Sequence, residues 1–175
     1  SKLEDLLRRV TEIVKRLEEI VRKLEERSRR TVKRLEELVD TLRKENEDTV
    51  RRLEKIVRDR KDDTDKIRDI AEKDRRRNKE VKDRVKKLLD DDRELLERVR
   101  REIEEIVERV REELDRVEPD ELLKEVRDVL ETVVKRVREI IEKVRKESED
   151  ALRKVDKDIR EVNRRSEKAL EDVKT

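Results

Sequence analysis

In 175 residues this chain has no Gly, Cys, His, Met, Phe, Trp or Tyr, and its one Pro is Pro119. Each absence removes a class of chemistry. Without Cys there are no disulfides and no thiolate metal ligands, so the redox compartment has no bearing on folding. Without His, the usual neutral-pH base and metal ligand is missing, and without Gly no phosphate-cradling loop can be built. Activated nucleophiles and general bases come largely from the missing types. No catalytic, cofactor-binding or metal-ligating residue is therefore expected, and no enzyme activity.

Long apolar runs are missing too. No window approaches the ~18 apolar residues that a membrane-crossing helix needs, and no charged-then-apolar leader opens the chain. It begins at Ser1 without Met, as expected of a recombinant product trimmed of a tag. The expectation is a soluble protein with no native compartment.

What is present is Leu, Ile, Val and a few Ala in a background that is 61% charged. Charge at that density with a large net value would indicate disorder, because too little apolar surface is left to offset chain entropy. Here 54 Lys and Arg nearly balance 52 Asp and Glu, and such a mixture with helical periodicity marks long helices. No basic stripe exists to release counterions from nucleic acid. The run Arg75-Arg76-Arg77 reads as solvated helix face.

Adjacent apolar or near-apolar pairs recur along the first third at Ile13-Val14, Ile20-Val21, Thr31-Val32, Leu38-Val39, Thr49-Val50 and Ile56-Val57. Their spacing alternates between seven and eleven. The sum, eighteen residues over five turns, is the 3.6-residue period of a straight α-helix, so no supercoil is imposed. Later segments carry the same repeat, from Leu88-Leu89 to Ile106-Val107, from Leu122-Leu123 to Ile140-Ile141 and from Ala151-Leu152 to Ala169-Leu170.

Two places interrupt it. Glu118-Pro119-Asp120-Glu121 is a helix start, because Pro fits the first turn and acidic side chains suit the N-terminal dipole. Around residues 60–65 the stripe thins, with Asp62, Asp63 or Thr64 as N-cap. Ser1 with Glu4 forms a capping box for the first helix. Helices of about 1–60, 64–117 and 120–175 follow. Near-equal lengths and short loops imply antiparallel neighbours, hence an all-α, up-down-up antiparallel three-helix bundle in one domain over 1–175. Acid-before-base pairs four apart, such as Asp5/Arg9, Glu25/Arg29 and Glu54/Arg58, are expected on the exposed faces.

The competing division breaks helix two near Asp90-Asp91-Asp92, where Asp91-Asp92-Arg93-Glu94 also reads as a capping box. Against it, the stripe Val85, Leu88/Leu89, Asp92, Leu95/Leu96, Val99 keeps its phase. A broken helix two would leave parts of helices one and three uncovered unless copies associated.

Polar residues on the stripe fall into two layers. Ser28, Thr31, Asp92 and Ser148 form one; Asn46, Thr49, Asp74, Asn78, Asn163 and Ser166 form the other, near the small Ala71 and Ala169. They read as buried hydrogen-bond networks or wetted core positions that fix helix order and register, in preference to a ligand site. Asp92 needs donors, from Ser28, Thr31, Ser148 or a snorkelling Arg. Convergent carboxylates at one height are too few for a hard cation.

The eighteen-residue repeat, the Glu118-Pro119-Asp120-Glu121 loop and the Glu/Lys/Arg surface resemble those of de novo designed helical bundles, specifically untwisted antiparallel three-helix bundles on parametric backbones. The resemblance covers the whole chain. It implies a hyperstable, monomeric scaffold with no natural activity, cofactor or partner. The alternative is a designed homo-oligomer module. Natural rods and lipid-binding amphipathic helices fit poorly, because aromatic anchors are missing.

Overall fold

The computed structural model describes residues 2–59, 63–117 and 121–174. Three helices account for nearly all of them: α1 (Lys2–Arg58), α2 (Thr64–Asp115) and α3 (Glu121–Lys174), of 57, 52 and 54 residues. The fold is the three-helix, all-α architecture expected from the period. α2 runs unbroken through Asp90-Asp91-Asp92. Its stripe never loses phase there, so the capping-box reading of Asp91 to Glu94 does not hold.

Of the three N-cap candidates, Asp63 takes the position: its Oδ1 accepts from the Lys66 backbone N–H at 3.2 Å, satisfying one orphan donor of the first turn. Its carbonyl then accepts from Ile67 at 3.2 Å to start the α2 ladder. At the other end of α2, Arg116 and Val117 close tighter i to i+3 bonds at 3.3 Å. Asp62, the Pro119 segment 118–120 and the Ser1 capping box lie outside the described residues.

Burial sharpens the repeat into a four-position motif. On α2 the buried side chains are Ile67, Ala71, Asp74, Asn78, then Val85, Leu89, Asp92, Leu96, then Ile103, Val107, Val110, Leu114, with only Ile70 in addition. Spacings of four, three and four recur every eighteen residues, which returns each position to the same helix face. α1 follows with Leu24, Ser28, Thr31, Leu35 and Leu42, Asn46, Thr49, Leu53, all buried. α3 repeats it with Val144, Ser148, Ala151, Val155 and Val162, Ser166, Ala169, Val173. Most apolar pairs divide their work, one member entering the core and the other flanking it. Leu123 is 2% exposed while Leu122 is 54% exposed.

The chain forms two compact units: Ser1–Thr31 with Asp91–Lys146, and Val32–Asp90 with Glu147–Thr175. The first has one continuous apolar cluster that includes Val10, Leu17, Ile103, Val107, Leu114, Leu130 and Val137. The second has two smaller clusters, one around Leu35, Val85, Leu89 and Ala151 and one around Leu53, Ile56, Ile67, Ile70 and Ala169.

Surface ion pairs follow the expected acid-before-base spacing of four at Glu19–Lys23, Asp40–Lys44, Glu72–Arg76 and Glu161–Arg165, while three of the residues expected to pair that way reach other helices. Arg9 pairs with Glu113 of α2, Glu25 with Arg136 of α3 at 2.6 Å, and Glu54 with Arg165 of α3 at 3.1 Å. A long side chain near a helix flank can reach the neighbouring helix as easily as the next turn of its own. Exposed pairs of either kind contribute about 0–1 kcal/mol each.

Candidate functional site

The stripe positions that carry polar side chains are the candidates. Ser28, Thr31 and Asp92 are buried in the first unit; Asn46, Thr49, Asp74, Asn78 and Ser166 are buried in the second. Ser148, grouped with Asp92 by height along the chain, belongs to the second unit and is half-buried, as is Asn163.

In the second unit the centre is Asp74, 2% exposed. One carboxylate oxygen accepts from the Thr49 hydroxyl at 2.8 Å and from Arg77 Nη2, and the other accepts from Asn78 Nδ2 at 2.9 Å. The Thr49 hydroxyl also lies 3.1 Å from the Glu45 carbonyl, so one proton faces two acceptors, of which the charged one is stronger. Burial pushes the Asp74 carboxyl above its ordinary range, and Thr49, Arg77 and Asn78 oppose that rise without cancelling it. Arg77 Nε lies 2.8 Å from Glu45 Oε2 as an ion pair, yet is not aligned for a hydrogen bond. Ser166 is satisfied locally, donating to the Val162 carbonyl at 2.9 Å. Asn46 is not: both of its amide atoms are buried without a partner, as is Asn78 Oδ1.

In the first unit, Asp92 is held by Arg27, the snorkelling Arg among the expected donors. Arg27 Nε donates to Oδ1 at 3.0 Å, and Oδ2 is buried without a partner. The guanidinium side chain is 49% exposed against 2% for the carboxylate, which is the snorkelling arrangement, with the apolar stem along the core edge and the head toward water.

Sequence position found the buried carboxylates and amides and called for a snorkelling Arg at Asp92 without locating it at Arg27, but it missed Arg77 and Glu45. Arg27 directly precedes Ser28, and Arg77 is three residues beyond Asp74, one helical turn away. The run Arg75-Arg76-Arg77 is solvated face only at its first two residues, which are exposed; Arg77 turns inward to the carboxylate.

Chemically these groups bond one another. Among the described residues no three His, Cys, Asp or Glu side chains come together as a metal-binding group. Among the described residues no helix is long and apolar enough to cross a membrane.

No protein-family model and no curated protein matches the chain. Among solved structures it is similar to one described as a computationally designed three helix bundle, with 17% identity over 98% of this chain and 86% of that chain and a TM-score of 0.48.

Proposed function

We propose that the chain is a designed, monomeric structural scaffold, folded as one domain, whose buried polar residues fix helix order and register. The observation that carries this reading is the four-position motif, spaced four, three and four and restated every eighteen residues on each helix. Within that invariant frame only the identities change. On each helix one motif is built wholly from Leu, Ile and Val, and in the other two Ser, Thr, Asn or Asp replaces one or two apolar residues. Such interchangeability is what separate control of stability and specificity requires. Apolar layers supply the burial free energy, and polar layers disfavour any shifted packing that would strand a buried polar group.

Support also comes from the surface. Among the described residues, exposed large apolar side chains are few: Ile20, Leu122 and Val129. Charges of both signs are interspersed elsewhere, which favours solubility and offers no single-sign field for a charged partner.

The test is a variant in which the second unit's polar positions become apolar: Asn46→Leu, Thr49→Val, Asp74→Leu, Asn78→Leu and Ser166→Ala. Denaturant unfolding should show greater stability, while amide NMR should show extra or broadened resonances from alternative registers. One equally sharp set of resonances would mean that the polar residues do not specify register.

A further inference from the structure

Four side chains of the second unit meet at the edge of its buried polar layer: Glu45 and Thr49 from α1, Asp74 and Arg77 from α2. The two carboxylates compete for one guanidinium. Arg77 Nη2 donates to Asp74 Oδ1, while Arg77 Nε lies 2.8 Å from Glu45 Oε2 as an ion pair and has no aligned acceptor among the described residues. A buried N–H so close to a carboxylate and yet unbonded marks a guanidinium oriented by its other partner. The Thr49 hydroxyl is shared in the same way, 2.8 Å from Asp74 Oδ1 and 3.1 Å from the Glu45 carbonyl oxygen.

The partners of Asp74 differ in what they can accept. Asn78 Nδ2 and the Arg77 guanidinium are donors only, so neither can take a bond from a protonated carboxyl, whereas a hydroxyl both donates and accepts. Thr49 therefore decides where a proton sits: on Oδ1, from which it points to Thr49 Oγ1. The Thr49 hydroxyl then turns its own hydrogen to the Glu45 carbonyl, already within reach, and Asn78 goes on donating to Oδ2, now a carbonyl oxygen. We propose that Thr49, Asp74, Arg77 and Glu45 form a proton-operated switch, in which proton uptake by Asp74 reverses the Thr49 bond and hands Arg77 from Asp74 of its own helix to Glu45 of α1. This goes beyond the scaffold reading.

Charge decides the handover. Once Asp74 is neutral, Glu45 is the anion left beside the guanidinium, and a small turn aligns Nε on Oε2 while Nη2 stays near Thr49 Oγ1, 3.2 Å away. Arg77 and Glu45 are both 38% exposed, so the rearrangement takes place at the water edge and needs no repacking of the apolar core. Among the described residues Arg77 is the charged group that acts on the Asp74 carboxyl, and α1 brings Glu45, which meets it through Arg77. The buried polar residue that α3 gives this unit is the neutral Ser166, bonded to the Val162 carbonyl. Burial, which lifts the Asp74 carboxyl above its ordinary range, favours uptake. As the proton binds, an ion pair within α2 becomes one that ties α2 to α1.

The test is a pH titration of the full, isotope-labelled chain by NMR, following the side-chain carboxyl carbons of Asp74 and Glu45 and the Arg77 Nε–H. The Arg77 resonance should shift with the Asp74 midpoint while Glu45 is still ionised. On the acid side its proton should exchange with water about tenfold more slowly than in the Glu45→Gln variant at the same pH, as expected of a bond to a charged acceptor. Asp74→Asn, neutral at every pH, should hold the Arg77 resonance near its acid position throughout. Thr49→Val should raise the Asp74 midpoint, because the ionised form loses its hydroxyl donor, and Thr49→Ser should restore it. The proposal is overturned by an Arg77 resonance that stays in place through the Asp74 midpoint, by one that moves as far in Glu45→Gln, or by a Glu45 carboxyl that takes its proton before Asp74 does.

Discussion

Asp74 and Asp92 occupy the same motif position in consecutive repeats of α2, and their carboxylates are kept by different means. Asp92 has one donor, Arg27, whose head is already half in water, and one oxygen with no partner. Replacing it with Leu removes a desolvated charge and strands nothing, since Arg27 can turn outward. Asp92→Leu should therefore raise the unfolding free energy by about 1–3 kcal/mol in a urea titration. Asp74 is tied to Thr49, Arg77 and Asn78, and burial still lifts its carboxyl above the usual range. The folded chain then holds that proton more tightly than the unfolded chain. The Asp74 contribution is most favourable where both states are protonated, and stability falls as pH rises from the unfolded value of about 3.9 to the raised folded one. Asp74→Asn should flatten that part of the stability–pH curve; an unchanged slope would mean that Asp74 is solvated. Glu161 behaves oppositely. Bonds from Arg164 and then Arg165 hold its carboxyl down to about 2, so its contribution is present above the unfolded value and is lost as pH falls toward 2.

At the scale of the helix, caps and apolar stripe carry separable shares of stability. Asp63→Ala removes the acceptor for the Lys66 N–H and should cost about 1 kcal/mol. Leu114→Ala, at a fully buried position, should cost about 2–5 kcal/mol, whereas Leu122→Ala, at a site 54% exposed, should cost well under 1 kcal/mol. Equal losses at the two leucines would contradict the division of the apolar pairs into core and flank. The helices were legible because their boundaries rest on local chemistry: an Asp cluster before Thr64 and a Pro after Val117 leave little choice. Continuity of α2 was legible from phase alone. Less could be read about partners. A stripe tells which residues face inward, but Arg27 and Arg77 reach Asp92 and Asp74 through several rotatable bonds, and no sequence period encodes where a guanidinium ends. The same freedom sent Arg9, Glu25 and Glu54 to neighbouring helices rather than to partners on α1.

For the whole molecule, the one-domain scaffold reading requires that long idealised helices with matched stripes give high stability and that the polar residues subtract from it without dividing the chain. Heating should show one cooperative transition, close to boiling or beyond. Two separated transitions would mean that the two compact units melt as independent domains, and a midpoint near 50 °C would contradict the reading of an idealised scaffold. Both outcomes concern how the burial of three stripes is shared along the chain. Whether that burial is completed within one chain is decided by molar mass in solution. On the scaffold reading, in which each stripe is satisfied by the other two helices of the same chain, light scattering across a hundredfold range of concentration should give 21.5 kDa throughout. A mass that is a multiple of this, or that rises with concentration, would contradict the scaffold reading and make the chain a self-association module.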